Sequence, residues 1–313
     1  MVVDVQSLIA EAEEALLEGD YDFAQRAAEQ VIAQRYSYGF ELLARVHAQR
    51  ENLPRAIAVL QEGVAKAPRA WQLWLRLGEF RCDHGDYDGA LAAYDAALAI
   101  EGVDADEVQL NAAIAHDRAG RAEDALMRLH EVRGTNDDTT IVAARVRAEI
   151  LLTLERPVAA AAAAQAGLAR VGEDTAPADV APLYAALAKA EWMNGAPRAA
   201  LHHAWDAVAL DSTDETALWV IREIEGDYSA SAKHFRVIIH GRDQGFDADG
   251  FWRKYDVVAD DEEEAMRFIR RVEPAHIRPS LRLDEAEVVD AASDQPKGVY
   301  WCTSYAHYRE PEE

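Results

Sequence analysis

The chain has 313 residues and a formal net charge of −25, with 57 acidic residues against 32 Lys and Arg. A chain this negative repels the phosphates of nucleic acids and of anionic membrane surfaces, so we expect neither to be a partner. The length exceeds what one hydrophobic core usually organises, which predicts two structural units.

The sequence carries no signal for a membrane or an extracellular location. It has no run of about 18 apolar residues, which a membrane-spanning helix needs. Its first residues do not show the basic and then apolar segments of a secretion signal. Its two cysteines, Cys82 and Cys302, are far apart in sequence, which argues against a disulfide framework. We therefore expect a cytoplasmic protein.

Residues 70–100 carry the strongest pattern in the chain. Apolar, small and turn-forming residues recur there at the spacing of two antiparallel helices joined by a turn. Small residues such as Gly78 and Ala90 fit where two helix axes approach each other. Gly85 followed by Asp86 suits a left-handed helix end and the cap of the next helix. The pattern consists of Trp74, Leu77, Gly78, Gly85, Asp86, Tyr87, Ala90, Tyr94, Ala97 and Leu98.

The same pattern recurs along most of the chain. It appears 34 residues upstream, starting at Phe40, and 35 residues downstream, starting at Gln109. An earlier unit includes Leu8, and two later units include Ala148 and Ala188. One hairpin cannot bury its apolar face alone, so at least about three must stack. The sequence predicts six hairpins and then a thirteenth helix at 215–226, which covers the last apolar surface.

These repeats resemble the tetratricopeptide repeat, which has a period of about 34 residues and a signature of Trp, then Leu-Gly, then a small residue followed by an aromatic one. Arg81 stands where the family usually has Tyr. The resemblance covers residues 5–226. It implies a mainly α-helical fold, a right-handed α-solenoid of about six hairpins with a capping helix. It also implies a non-catalytic scaffold that binds a peptide or protein segment.

By the same resemblance, the first helix of each hairpin lines a concave groove. One specialisation of the family clamps a partner's C-terminal carboxylate with convergent cations, but Arg45 is flanked by Glu41 and Glu79, so we do not expect that clamp. Acidic residues interleaved with apolar ones favour a segment with apolar anchors and some Lys or Arg. Alternatively, several of these side chains only pack between helices. The predicted groove residues are Tyr38, Glu41, Arg45, Gln72, Leu75, Glu79, Glu107, Leu110, Ile114, Asp117, Arg145, Glu149, Lys189 and Trp192.

Residues 233–313 have a different period and follow a linker at 227–231. Two segments rich in β-branched and aromatic residues, at 234–240 and 255–259, predict strands on either side of a loop at 241–250. Acids at 260–264 predict the start of an amphipathic helix. Two further strands are predicted at 281–290 and 299–308. The β-β-α-β-β order predicts a small α+β sandwich, with one helix on an antiparallel sheet.

Aromatic residues are unusually frequent in this last region, among them Phe251, Trp252, Tyr255, Trp301, Tyr305 and Tyr308. Strict alternation along the last predicted strand places Val299 and Trp301 on one face and Cys302 on the other. One face should pack on the helix. The other should dock on the helical array or bind a partner, and docking is the favoured alternative.

The reactive residues form no recognisable catalytic or metal site. Alternation puts Cys302 and His307 on opposite faces of one strand. His202 and His203 point about 100° apart on a helix, a poor geometry for one metal. Cys82 has no second Cys or His pair at zinc-site spacing, so a buried thiol is expected. Phosphate-loop, dinucleotide, HExxH and nucleophile-elbow motifs do not occur. We predict no catalytic residue, cofactor or metal.

Three functions stay open from the sequence. The favoured one is the scaffold described above. The alternative is an acidic inhibitor or immunity-like protein that occludes a basic partner, and its affinity should fall steeply with added salt. The third is an enzyme with its site in the small C-terminal region, for which the sequence offers no assembled site.

Overall fold

A computed structural model describes residues 4–242 and 250–308. The chain folds into two compact units, Met1–Thr139 and Thr140–Glu313. The sequence suggested a different division, into 5–226 and 233–313, and that division stays a prediction. Each unit is described by itself below.

The first unit consists of four helical hairpins. Each hairpin pairs an A helix with the B helix that follows it, and small residues lie where the two approach. A methyl group on Gly78, for example, would collide with the ring of Tyr94. The helices are α1 (Val5–Glu18), α2 (Tyr21–Ala33), α3 (Tyr38–Gln49), α4 (Leu53–Lys66), α5 (Trp71–Asp83), α6 (Tyr87–Leu98), α7 (Ala105–Arg118) and α8 (Ala122–His130).

The hairpin turns have the chemistry that the sequence suggested. Gly19 and Gly85 end their A helices with φ values of 80° and 83°, a left-handed conformation that suits glycine. Asp20 then caps α2 by accepting a hydrogen bond from the backbone N–H of Phe23 at 3.0 Å. Such a cap satisfies one of the otherwise unpaired N–H groups at a helix start. Local chemistry therefore fixes where each B helix begins.

The second unit begins with two more hairpins and a terminal helix. Gly167 allows close contact here, since a methyl group on it would meet Ala144 and Leu183. The terminal helix is capped by Asp214, whose side chain accepts from the N–H of Ala217 at 2.8 Å. The helices are α9 (Asp137–Thr153), α10 (Pro157–Leu168), α11 (Pro177–Met193), α12 (Pro197–Leu210) and α13 (Glu215–Glu225). The predicted six hairpins and thirteenth helix are confirmed.

A small α+β region completes the second unit. Its five-stranded antiparallel sheet has the order β3-β1-β2-β4, with β5 also paired to β2. The predicted helix lies on this sheet, and the predicted α+β class is confirmed. The elements are β1 (Lys233–Gly241), β2 (Gly250–Ala259), α14 (Glu262–Val272), a short 3₁₀ helix (Arg278–Ser280), β3 (Arg282–Asp290), β4 (Gly298–Cys302) and β5 (Ala306–Tyr308).

Two predicted strand extents were wrong. The second strand begins at Gly250 instead of residue 255, so it includes Phe251 and Trp252. Of the predicted loop 241–250, both ends are strand residues, and 243–249 lie outside the described residues.

The last predicted strand, 299–308, is interrupted and forms β4 and β5. A register shift opposite Asp256 and Val257 breaks the alternation along β4. Val299 and Cys302 are consequently both buried in the same core, while Trp301 is 37% exposed. The predicted assignment of these residues to two faces is therefore wrong. A β-bulge of this kind places one extra residue in one strand of a pair. The residue types of the strand do not reveal where that extra residue lies.

The sheet packs on the last helices of its own unit through its inner face. Phe251, Tyr255 and Val299 share one hydrophobic core with residues of α12, α13 and α14. Arg222 of α13 donates to the carbonyl oxygen of Val299 at 2.5 Å. The same face therefore contacts both α14 and the end of the helical array, and the opposite face leaves Trp252 42% exposed. The sheet therefore docks on the array through the same face that packs on α14, whereas the prediction used opposite faces for the two contacts.

Candidate functional site

Three carboxylates from three successive A helices lie near enough in the first unit to influence one another electrostatically. Glu41 lies on α3, Glu79 on α5 and Glu107 on α7, and we call the side of these helices that carries them the A face. Arg76, also on α5, donates to Glu41 Oε1 at 3.1 Å and forms a second ion pair with Glu79. One guanidinium thus bridges neighbouring repeats, and it stands among more acids than it can neutralise.

The pKa values record this excess of negative charge. Burial raises the pKa of the Glu79 carboxyl; Arg76 opposes the shift, and the like charges of Glu107 and Glu41 add to it. The pKa of Glu107 is also raised, first by burial and then by Asp104. Burial disfavours the charge of Arg76, but Glu79 and Glu41 outweigh it and raise its pKa. A further cation on the A face would relieve the repulsion between these carboxylates.

The other polar residues predicted for the groove in this part of the first unit differ in their exposure to solvent. The Tyr38 hydroxyl donates to Glu13 Oε1 at 2.6 Å, and its pKa is raised to about 12, chiefly by burial and by this hydrogen bond. Arg45 is half-buried and Gln72 is exposed. Arg45 was expected to be the cation between Glu41 and Glu79, but Arg76 occupies that place.

The apolar predicted residues are mostly inside. Leu75 and Leu110 are 6% and 7% exposed, so they pack between helices, as the alternative interpretation held. Ile114 is half-buried and Asp117 is exposed on α7. On the A face, apolar contact with a partner would therefore come from Ile114 more than from the two leucines.

The second unit presents a separate set of predicted residues. Arg145 and Glu149 form an ion pair on α9 at 2.9 Å. Lys189 and Trp192 both lie on α11, where Trp192 packs edge-on against Trp219 with ring centroids 4.7 Å apart and Lys189 Nζ lies 5.7 Å from the Trp219 ring.

A cavity of about 200 Å³ adjoins these residues. Glu149, Lys189 and Asp214 supply its charged groups, and burial raises the pKa of the Asp214 carboxyl. Leu152 and Pro182 contribute apolar surface. The cavity is therefore lined by groups of both signs.

Sequence reasoning missed three of these participants: Arg76, Asp214 and Trp219. Arg76 was recognisable in principle, because it lies 35 residues after Glu41, one repeat further on, and three residues before Glu79. Asp214 and Trp219 belong to the terminal helix, which was assigned only a covering role.

The cysteines and histidines considered for chemistry have structural surroundings. Cys82 and Cys302 are both buried and reduced. Burial raises the pKa of Cys302 to about 11, and its thiol contacts the carbonyl oxygen of Ser212 at 3.1 Å. His203 pairs with Glu191 at 2.7 Å. Within 4–242 and 250–308, His, Cys, Asp and Glu form no group of three that could hold a metal ion.

Comparison with known proteins identifies the hairpins. A family model described as tetratricopeptide repeat matches residues 41–107, which include Glu41, Glu79 and Glu107. Over those residues the hairpins are similar to tetratricopeptide repeats. Arrays of these repeats present extended surfaces that bind other proteins, so the general class of function is protein–protein interaction. None of the curated proteins compared with the sequence matches it.

Solved structures share the fold of the tetratricopeptide repeats at low sequence identity. PilW, a type IV pilus biogenesis factor, has a TM-score of 0.57 and 17% identity over 69% of this chain and 98% of its own. The C-terminal part of a tetratricopeptide-repeat protein from Cytophaga hutchinsonii has a TM-score of 0.52 and 15% identity, over 70% and 88%. A chain of the APC/C hetero-tetramer Cut9–Hcn1 has a TM-score of 0.53 and 13% identity over 68% of this chain, which spans only 41% of the matched chain.

In the part of the chain that the structure describes, every helix is too short or too polar to cross a lipid bilayer.

Proposed function

We propose that the chain is a non-catalytic scaffold that holds a segment of a partner protein against the A helices of its repeats. The observation that carries this proposal is the electrostatic influence of Glu41, Glu79 and Glu107 on one another around Arg76. Three carboxylates and one guanidinium leave a local excess of negative charge. A Lys or Arg side chain of the bound segment supplies the missing positive charge.

Each unit by itself offers a place for an apolar anchor of a partner. On the A face of the first unit, the half-buried Ile114 offers an apolar contact about one turn beyond Leu110. In the second unit, the paired rings of Trp192 and Trp219 do the same. Aromatic side chains of this kind often contribute most of the energy of an interface.

The partner is a protein or peptide with basic and apolar side chains. We expect neither nucleic acid nor a membrane to bind, because both carry the same sign of charge as the chain. The function as proposed needs no cofactor, and the cytoplasmic location stays part of the proposal.

The A face is tested with a defined peptide before the natural partner is known. A fluorescent 12-residue peptide of alternating Leu and Lys is titrated with the full chain, and a Leu–Glu peptide of equal length is the control. We expect E79Q combined with E107Q to weaken Leu–Lys binding by about tenfold, the equivalent of about 1.4 kcal/mol.

The matched control is E101Q, which removes one charge from an exposed position outside the A face. We expect it to change the affinity by less than about twofold, because exposed charges are screened. Equal losses in E101Q and in either single A-face variant would mean that only net charge matters, and the proposed site would be wrong. Capture from lysate with the full chain, with the double variant as control, then identifies the partner.

The acidic inhibitor is the second candidate, supported by the net charge of −25 and by strongly exposed acids such as Asp88. It differs from the scaffold in how it depends on salt. Affinity that falls steeply with ionic strength and is insensitive to Trp192→Ala would favour the inhibitor. Affinity that survives added salt and falls with that substitution would favour apolar anchoring on the scaffold.

A further inference from the structure

A cavity of about 350 Å³ opens in the first unit, beside the turn between α2 and α3. Ile32 and Phe40 provide apolar walls, and Ala67 follows α4 at another side. Small-molecule pockets usually have about 300–1,000 Å³ with mostly apolar walls and a few polar groups. None of the predicted groove residues lines this cavity.

Two cationic side chains, Arg35 and Lys66, also line the cavity. Lys66 Nζ lies 5.4 Å from the centre of the Phe40 ring, which holds the ammonium against the apolar wall, and it also pairs with Glu62. Among residues 4–242 and 250–308, the Arg35 guanidinium has no hydrogen-bond or ion-pair partner. Although the chain has a net charge of −25, the two charged side chains that line this cavity are both positive.

Hydroxyl groups add neutral donors at the same place. Tyr36 and Ser37 line the cavity beside Arg35. Tyr36 is 49% exposed, and the Ser37 side chain makes no capping hydrogen bond to α3. These donors and the two cations suit a carboxylate, whose oxygens accept hydrogen bonds from guanidinium, ammonium and hydroxyl groups.

We propose that this cavity binds a small organic acid with an apolar body. Arg35 and Lys66 hold its carboxylate, and Ile32 and Phe40 contact its body. An inorganic anion would leave the apolar walls uncovered, and a neutral apolar molecule would leave the Arg35 guanidinium without a partner. The site is separate from the A face, so its test is independent of the scaffold proposal.

The test uses the full chain and two probes of nearly equal size, 3-phenylpropionate and its uncharged methyl ester, in isothermal titration calorimetry. We expect the acid to bind saturably at one site and the ester to bind at least about tenfold more weakly, since it lacks the charge-assisted hydrogen bonds. Arg35→Asn should weaken acid binding by about tenfold. Asn is chosen because it tolerates the left-handed backbone of Arg35, with φ of 66°.

Arg69→Asn is the matched control, because Arg69 is an exposed arginine that does not line the cavity. We expect it to change acid binding by less than about twofold. Lys66→Met keeps the aliphatic stem and removes the charge, so it should weaken the acid but not the ester. Equal binding of acid and ester, equal losses in the two arginine variants, or no saturable binding of the acid would each overturn the proposal.

Discussion

Arg253, on β2, donates a hydrogen bond of 2.8 Å from Nη1 to the Oγ of Ser212, in the turn between α12 and α13. The same guanidinium forms an ion pair with Glu273, and both side chains are almost completely buried. Tyr255 and Tyr305 donate their hydroxyl hydrogens to the Glu273 carboxylate. A buried polar network therefore joins the sheet to the end of the helical array within the second unit.

We expect Arg253→Met to lower the free energy of unfolding of the second unit by about 3–5 kcal/mol, because it leaves the buried Glu273 carboxylate without its cation. Combining it with Glu273→Leu should recover part of that loss, since no charge is then left unpaired. Urea unfolding followed by tryptophan fluorescence measures both. The control is Arg236→Met on the exposed face of the sheet, whose cost should be below about 1 kcal/mol. If the double variant lost as much free energy of unfolding as the two single variants together, the proposed coupling between Arg253 and Glu273 would be contradicted.

The linker at 227–231 should resist proteolysis in the intact chain. Tyr228 is 66% exposed and offers chymotrypsin a site, but the backbone around it is held: the N–H of Lys297 donates to the Asp227 carbonyl oxygen and the Ser231 hydroxyl donates to Asp260. Cleavage requires local opening of such bonds. We expect no early cut after Tyr228 when digestion is followed by mass spectrometry.

Loosening the linker should reverse that result. Ser231→Ala together with Asp260→Ala removes the hydrogen bond between the linker and the start of α14, and cutting after Tyr228 should become several-fold faster. A linker that is cut at once in the wild-type chain would show that the sheet is not held on the array in solution.

Glu51 occupies a hairpin turn where four of the other five hairpins have glycine and one has Glu155. Its φ of 58° is left-handed, a conformation that costs a non-glycine residue about 1 kcal/mol or more. Glycine avoids this cost but loses more backbone entropy on folding. We therefore expect Glu51→Gly to raise the free energy of unfolding of the first unit by about 0.5 kcal/mol. Gln61→Gly, in the exposed interior of α4, should instead cost about 1 kcal/mol. Thermal unfolding distinguishes the two signs.

Binding of the Leu–Lys peptide should depend on pH through Glu79 and Glu107. Their pKa values are raised above the ordinary 4.5, so they take up protons at a higher pH than free carboxyls, and a bound cation lowers both pKa values. Affinity should therefore rise with pH through the raised values, with proton release on binding. The same shifts favour the protonated form in the folded state, so their stabilising effect is present below 4.5 and is lost as the pH rises through the folded pKa. Titrations in buffers of different ionisation enthalpy measure the released protons. Unchanged affinity between pH 7 and pH 4.5 would contradict this role.

The helical part of the fold could be predicted because its determinants are local. Small residues at fixed spacing, Gly19 before Asp20, and Gly85 before Asp86 each fix a close approach or a helix end. The bulge within β4 could not be predicted, because the extra residue near Tyr300 depends on which strand it pairs with. Strand composition is the same with and without a bulge.

The candidate site could be predicted only in part. Repeat spacing predicted Glu41, Glu79 and Glu107 as groove residues, and this assignment stays a prediction. Repeat spacing could not decide whether the Leu75 side chain packs against a neighbouring helix or lines the groove, because an apolar residue of an amphipathic helix suits either place. Arg76 was missed because its role requires two repeats to be in contact, which no single window of sequence contains.

The buried Arg253–Glu273 pair has a consequence for how this architecture can grow. The end of the array is matched to one particular sheet: Arg222 of α13 donates to the Val299 carbonyl oxygen, and Ser212, just before α13, accepts a hydrogen bond from the buried Arg253. A repeat added after α13 would have to displace that sheet. Its buried charged groups would then be left unpaired in an apolar environment. Duplications should therefore be tolerated only upstream, which makes the carboxyl-terminal end of the array the fixed end in any attempt to re-engineer its length.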